Sequence, residues 1–352
     1  RAERRLARAL VAPRVRLLTQ FNALDQGVKF LVDMRAELLR LARNGSPALS
    51  GLEADLKDLL ASWFDVGFLE LRRITWNAPA SLLEKLAAYE AVHAIASWQD
   101  MKNRLDSDRR CFAYFHPRMP EEPLIFVEVA LVRGLADSVQ RLLDEAAPAE
   151  DPRQADTAIF YSISNAQKGL AGISFGAFLI KRVAGELQGE FPGLKTFATL
   201  SPIPGFRAWL DETLDDGALT AAQWAALRAS PLRIGDPQTL KATLAQPSWA
   251  ADEAAAAALK VPLMRLGARY LLEARREKTR ARDPVAHFHL SNGARMERLN
   301  WMGDCSPKGM GESCGLMINY LYRLEDIETN HEAYASEGRI VAAPAVRALL
   351  AP

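Results

Sequence analysis

The chain has 352 residues, 49% of them hydrophobic and 25% charged, and a net charge of +1. This is ordinary globular composition with length for two cores, and the near-zero net charge excludes a global field for nucleic acid or a membrane surface. Cys111, Cys305 and Cys314 are too few and too scattered for a disulfide framework or a zinc signature, so reduced, cytosol-like chemistry is expected, and no run approaches the ~18 apolar residues of a membrane span.

The Arg-rich start, RAERRLARALVAPRVR, reads as an amphipathic surface helix rather than a targeting segment. Residues 14 to about 107 read as helix throughout. Leu17, Leu18, Phe21, Leu24, Val28, Leu31 and Val32 recur at three-to-four spacing, and Asn44-Gly45-Ser46-Pro47 breaks the stripe. Capping boxes at Ser50-x-x-Glu53 and Ser81-x-x-Glu84 start two further helices, and another is expected over His93–Leu105 with His93 as a packing residue. From Ser107 the pattern changes. Cys111–Phe115 and Leu124–Val132 are β-prone, Ala136–Ala146 is helical, and Ala147–Ala155 is a loop.

The most informative stretch is Asp156–Phe206. An apolar β-prone run, Ala158–Ile163, enters a glycine-studded loop, Gln167–Gly176. A helix with Phe178, Leu179, Val183 and Leu187 at helical spacing follows. A second β-prone run, Thr196–Leu200, leads into Ser201-Pro202-Ile203-Pro204-Gly205. A loop that opens a helix bares N–H groups where the dipole favours anions, so Gln167–Gly176 reads as a phosphate cradle. Two other readings stay open. Gly172-Ile173-Ser174-Phe175-Gly176 matches the nucleophile elbow of α/β-hydrolases, although about ten residues separate Ser174 from the β-prone run; or the loop binds nothing.

Gly217 to Arg276 is helical and alanine-rich, divided by Pro231, Pro237, Pro247 and Pro262, with a last helix over Val261–Arg276 and a basic tail to Arg282. The tail is a solvated helix end or a ligand-phosphate contact. In His287-Phe288-His289-Leu290 the residues alternate, so the histidines share a face if this is a strand. Asn292-Gly293 is a turn, Ala294–Trp301 and Gly315–Tyr322 are β-prone, and Gly303–Ser313 is a polar loop.

The pair Ser201 and His289 suits proton relay or nucleophile–base chemistry, but spacing alone cannot show them adjacent. His287 and His289 as metal ligands would need Asp304 and Glu297 at no standard spacing, so no metal is expected. Tyr320 and Tyr322 alternate, either as a half-buried strand face or with a phenol reaching a site.

The stretches FYSISNAQKGLAGISFGAFLIKRVAGELQGEFPGLKTFATLSPIPGF and FHLSNGARMERLNWMGDCSP…SCGLMINYLY resemble the malonyl-CoA decarboxylase family over nearly the whole chain. The resemblance implies an α+β fold: an all-helical N-terminal domain (residues 1–108), then a GNAT-like, acyl-CoA-binding catalytic domain (109–352) with a helical insertion at about 217–280. It implies decarboxylation of malonyl-CoA to acetyl-CoA and CO2 through a stabilised enolate, with a role in fatty-acid metabolism, and needs no cofactor. The family's catalytic Ser and His fall on Ser201 and His289, and a functional Tyr on Tyr322. Gln167 and Gly169 belong to a variant of the GNAT pyrophosphate loop. The malonyl-CoA contact stretch falls on Ala171, Gly172, Ile173, Ser174, Phe175, Gly176 and Ala177; Ser174 stands where some members carry Glu and is given no catalytic role. Amides of this stretch or of the Asn292-Gly293 turn are candidates for the oxyanion hole. Lys168, Lys181, Arg182 and Arg207 are candidates for positive charge around CoA. The family is oligomeric, which implies a homodimer or homotetramer, with no nucleic acid and no membrane as partner, in the cytoplasm or, in a eukaryote, the mitochondrial matrix. A GNAT-type acyltransferase, a serine hydrolase acting through Ser174, and a non-enzymatic interaction module are the alternatives.

Overall fold

A computed structural model describes residues 11–41, 47–106, 108–173, 176–217 and 219–350. Most of the Arg-rich start, and Ser174 and Phe175 of the glycine loop, lie outside these residues. The chain divides into two units, Arg1–Glu128 with Ser162–Phe178, and Val129–Tyr161 with Leu179–Pro352.

The first unit begins with helices α1 (Pro13–Gln20), α2 (Gly27–Leu41) and α3 (Pro47–Trp63). Val28, Leu31, Val32 and Leu38 of α2 and Leu56 and Leu60 of α3 are buried, as is Leu18 of α1, whereas Leu17 and Leu24, read as part of the same stripe, are exposed. α3 starts at Pro47 rather than at Ser50. Helix does not continue to residue 107. Glu70–Ile74 is strand β1, paired antiparallel to β2 (Arg109–Phe115), with Glu70 opposite Phe115 and Ile74 opposite Cys111. Its charged residues hide it, because an edge strand leaves much of its length to solvent.

After β1 come α4 (Ala80–Tyr89) and α5 (Trp98–Arg104). His93 precedes α5, which Ser97 caps by accepting the N–H of Asp100. The segment before it is held by side chains instead of a helical ladder: Arg104 donates to the carbonyls of His93 (2.9 Å) and Ala94 (3.3 Å), and Glu90 accepts the N–H groups of Val92 and His93. Strands β3 (Ile125–Val132) and β4 (Thr157–Asn165) each contribute residues to both units. In the first unit, Leu83, Leu86 and Met101 pack on Ile74, Ala113, Phe115 and Phe126 to form a core.

In the second unit β4 runs parallel to β5 (Thr196–Thr199), Thr157 facing Thr196 and Phe160 facing Thr199. Between them in sequence is α7 (Gly176–Glu190), and before β4 is a single turn of helix, α6 (Val139–Leu142), in place of the longer helix expected over Ala136–Ala146. β6 (Ser201–Pro202) leads to α8 (Phe206–Thr213). The alanine-rich insertion is α9 (Ala221–Ala229), α10 (Pro237–Ala245) and α11 (Glu253–Glu273). Pro262 does not divide α11. Asp252 caps the helix on Ala254 and Ala255, and buried Leu259, Leu263, Leu266 and Tyr270 outweigh the proline's local cost of ~3 kcal/mol. The basic tail forms a small hairpin, β7 (Arg275–Arg276) with β8 (Arg280–Ala281), and Arg282 pairs with Glu212 at 2.6 Å.

His287–Leu290 is not a strand. It lies in helix α12 (Pro284–Ser291), with Asp283 as N-cap and Pro284 in the first turn, a start signal stronger than the four-residue alternation. The Gly303–Ser313 loop likewise contains α13 (Pro307–Ser313), capped by Ser306 on the N–H of Gly309. β9 (Arg295–Asn300) pairs with β10 (Met317–Tyr322), and α14 (Ile327–Glu337) and α15 (Pro344–Ala348) complete the chain.

β10 organises this unit. Its other side pairs with β5 and β6 in one register, Tyr322 opposite Phe197 and Ile318 opposite Ser201, but the ladder is interrupted at Asn319 and Tyr320. The β9 register also shifts at Asn319/Tyr320. Side chains satisfy the broken ladder. Thr199 Oγ1 accepts the N–H of Tyr320 (3.1 Å), and Asn319 Nδ2 donates to the carbonyls of Thr199 (2.8 Å) and Ala136 (2.9 Å). Asn319 Oδ1 accepts from Asn300 (2.9 Å) and Arg298 (3.2 Å). Asn319→Leu keeps the branched outline of the side chain but removes its donor and acceptor, so it should destabilise the unit by at least ~3 kcal/mol in chemical denaturation, whereas a loss under ~1 kcal/mol would deny the network that role.

Candidate active site

The interrupted ladder brings three sequence-predicted residues into one buried row. Ser201 comes from β6, His289 from the last turn of α12 and Tyr322 from the end of β10. Ser201 Oγ lies 3.0 Å from His289 Nε2, and His289 Nδ1 lies 2.8 Å from Tyr322 Oη. Ser201 Oγ donates to Thr199 Oγ1 at 2.8 Å. With its proton committed to Thr199, the serine oxygen accepts from Nε2–H, which leaves Nδ1 to accept from the Tyr322 hydroxyl. The imidazole is 3% exposed, and burial pushes its pKa down from 6.5 to about 3, so it is neutral near pH 7. Burial also raises the Tyr322 phenol well above its ordinary value. Tyr320 stacks on the imidazole with ring centroids 4.4 Å apart, and its own buried hydroxyl has no partner among the described residues.

Because the segment is helical, His287 and His289 point apart. His287 Nδ1 shares a hydrogen bond with Tyr334 Oη at 2.9 Å, and that oxygen accepts the N–H of Ala281. Among the described residues no group of three or more His, Cys, Asp or Glu could hold a metal ion. Asn292 ends α12 and is buried. Its Nδ2 donates to the Phe288 carbonyl (2.7 Å), and its N–H and that of Gly293 close the helix end on the His289 and Leu290 carbonyls. Those amides are therefore spent on the helix and do not form an oxyanion hole. Gly293 has φ +78°, and a Cβ there would meet the Ile327 carbonyl oxygen at 2.1 Å, so glycine is required. Arg207 is occupied by Asp211 (3.1 Å) and the Lys241 carbonyl (3.2 Å), and Lys181 by Glu328 (3.3 Å).

The glycine loop belongs to the first unit and is built differently from an open cradle. Gln167 is buried, with Nε2 donating to the Pro123 carbonyl at 3.0 Å. Gly169 lies against α2, where a Cβ would meet the Val32 carbonyl oxygen at 1.8 Å. Its own carbonyl accepts from Arg35 (2.6 Å), which Glu53 holds at 2.7 Å. The N–H groups of Ala171 and Ile173 are taken by the Lys168 and Leu170 carbonyls, whereas Gly172, at φ +75°, has an N–H without a partner among the described residues. Gln167, Lys168, Ala171, Gly172 and Ile173 line a cavity of about 740 Å³ with Arg40, within the size range of small-molecule sites. Gly176 and Ala177 begin α7; Ser174 and Phe175 lie outside the described residues.

Thr199, Asn319 and Asp283 are the residues of this region that sequence reasoning passed over. The Asp283-Pro284 helix start was the one available signal.

Residues 67–352 match the family model of the malonyl-CoA decarboxylase C-terminal domain, and residues 1–64 that of the N-terminal domain. The mitochondrial malonyl-CoA decarboxylase of Rattus norvegicus is 42% identical over 99% of this chain and 73% of its own length. The crystal structure of malonyl-CoA decarboxylase from Rhodopseudomonas palustris superposes with a TM-score of 0.88 at 46% identity, covering 97% of this chain and 80% of that one. That from Agrobacterium vitis also gives 0.88, at 47% identity, covering 99% and 82%. No helix among the described residues is long and apolar enough to cross a membrane. A helical N-terminal region, a mixed sheet and matches at this level over both parts agree: the chain belongs to the malonyl-CoA decarboxylase family, a family of carboxy-lyases.

Proposed function

We propose that this chain decarboxylates malonyl-CoA to acetyl-CoA and CO2, with Ser201, His289 and Tyr322 as the chemical row. The observation that carries the reading is the unbroken hydrogen-bonded line from Tyr322 through both imidazole nitrogens to Ser201 and Thr199. In the reaction the bond between the methylene carbon and the carboxylate breaks, CO2 leaves, and the electron pair passes into the thioester as an enolate. The methylene carbon then takes one proton. The thioester delocalises the charge, so the protein's work is to orient the carboxylate, stabilise the enolate oxygen and supply the proton.

In this reading Ser201 turns its hydroxyl proton from Thr199 to the substrate carboxylate, and His289 delivers the proton. Burial keeps the imidazole neutral. A malonyl carboxylate arriving beside it adds a negative charge that favours the protonated form, so proton uptake and substrate binding are coupled. Tyr322 fixes the tautomer that presents Nε2–H towards Ser201. The loop Gln167–Ala177 is assigned to the CoA moiety, with the Gly172 amide as its open donor and Lys168, exposed beside it, as its cation.

Ser201→Ala and His289→Asn should each lower kcat by at least ~10²-fold while acetyl-CoA still binds, assayed as CO2 release with no amine acceptor present; near-normal turnover removes the residue from the mechanism. A fluorophosphonate should leave the chain unlabelled, because Ser201 gives its proton to Thr199 and meets Nε2–H of His289, which cannot take it. Labelling at Ser174 would instead support the hydrolase reading.

His289 also marks the stability profile. Its pKa falls from 6.5 unfolded to about 3 folded, so between these values the unfolded chain binds a proton that the folded chain refuses. Its contribution is complete above pH 6.5 and is lost as pH falls towards 3. Urea denaturation at pH 7 and pH 5 should therefore show a smaller acid loss for His289→Asn than for the unaltered chain; equal losses would mean that the imidazole is not held neutral.

A further inference from the structure

Asp283 is 1% exposed, and its two carboxylate oxygens serve different elements. Oδ1 accepts the N–H groups of Val285 (3.0 Å) and Ala286 (2.9 Å), capping the helix that carries His289. Oδ2 faces the other way and accepts the N–H of Gly205 (3.3 Å) and the hydroxyl of Tyr270 (3.4 Å). Gly205 ends the Ser201-Pro202-Ile203-Pro204-Gly205 turn. Tyr270 comes from α11, the last helix of the insertion, and packs against the rings of Trp209 (5.3 Å) and Phe206 (6.0 Å) just beyond that turn.

Gly205 is bare for a steric reason. Its backbone, φ −91° and ψ −6°, suits any residue, but a Cβ would lie 2.1 Å from Tyr270 Oη and 3.5 Å from Asp283 Oδ2. The missing side chain lets the phenol reach the carboxylate. A helix cap needs only one oxygen of Asp283; the second oxygen, the phenol and the glycine have no part in capping.

We propose that Asp283 is a positioning residue: with Tyr270 and Gly205 it ties the helix bearing His289 to the turn bearing Ser201, and so sets the separation of hydroxyl and imidazole. The proposal rests on the roles given to Ser201 and His289 above and gives the helical insertion a task in the reaction. Burial raises the Asp283 carboxyl to about 6, so near pH 7 it is the anion that four donors require.

The test uses the full chain. Asp283→Asn keeps an oxygen for the cap, since Asn is as good a cap as Asp, but turns an NH2 group towards the Gly205 N–H. It should lower kcat by at least ~10-fold with KM for malonyl-CoA within ~3-fold. Gly205→Ala should do the same, because its Cβ would drive the phenol from the carboxylate, and adding Tyr270→Phe, which removes the same hydroxyl, should deepen the loss by less than ~2-fold. A second readout does not depend on turnover. In 15N-histidine spectra the His289 signal, identified by its absence in His289→Asn, should report one fixed neutral tautomer in the unaltered chain and a tautomer mixture in Asp283→Asn. An unchanged His289 signal in Asp283→Asn, or a Gly205→Ala loss that Tyr270→Phe relieves or deepens by more than ~2-fold, overturns the proposal. If instead Asp283→Asn alters the signal while Ser201→Ala and His289→Asn turn over normally, the tie stands and the catalytic reading falls.

Discussion

The ladder of β10 is interrupted beside the Ser201–His289–Tyr322 row, and Asn319 makes that break tolerable. Its amide replaces the backbone groups that Thr199 and Ala136 would otherwise leave unpaired, and its oxygen is filled by Asn300 and Arg298. A buried polar group without partners costs ~1–3 kcal/mol, so the interruption survives only because every member is satisfied. Ser201, Thr199, Tyr320 and Tyr322 then meet at the same few residues of strand, with rigid ladder on either side.

The site is dry as well as rigid. The imidazole lies between the Tyr320 ring and two hydroxyls, with no charged group bonded to it. A carboxylate partner on Nδ1, as in a hydrolase triad, would favour an imidazolium in the empty site. A phenol holds the tautomer without bringing a charge to the imidazole.

Local periodicity made some of this legible and long-range pairing hid the rest. The α2 stripe, the strand–loop–helix–strand order around Gly176 and the runs of β9 and β10 could be read because spacing alone specifies them. His287–Leu290 misled, because four alternating residues fit a strand until Asp283-Pro284 is weighed as a helix start. Glu70–Ile74 was hidden by charges that an edge strand can carry. Thr199 and Asn319 are 120 positions apart, and Gly205 and Asp283 are 78 apart. Nothing in either neighbourhood signals the other, so their roles emerge only when the chain has folded. Gly169 reads from sequence as a ligand-facing glycine, yet its missing side chain is explained by the Val32 carbonyl.

That close approach bears on how the chain can be cut. Val32, Arg35 and Glu53 lie in the part matched by the N-terminal family model, while Gly169 lies in the part matched by the C-terminal one. The glycine loop is seated on α2 at van der Waals contact and fastened there by a guanidinium shared with Glu53. A fragment beginning near residue 67 would carry the loop without its floor and expose the apolar side of that seat to water. The boundary between the two family domains is therefore a seam in sequence only; in the folded chain the helices before it are part of the loop's foundation.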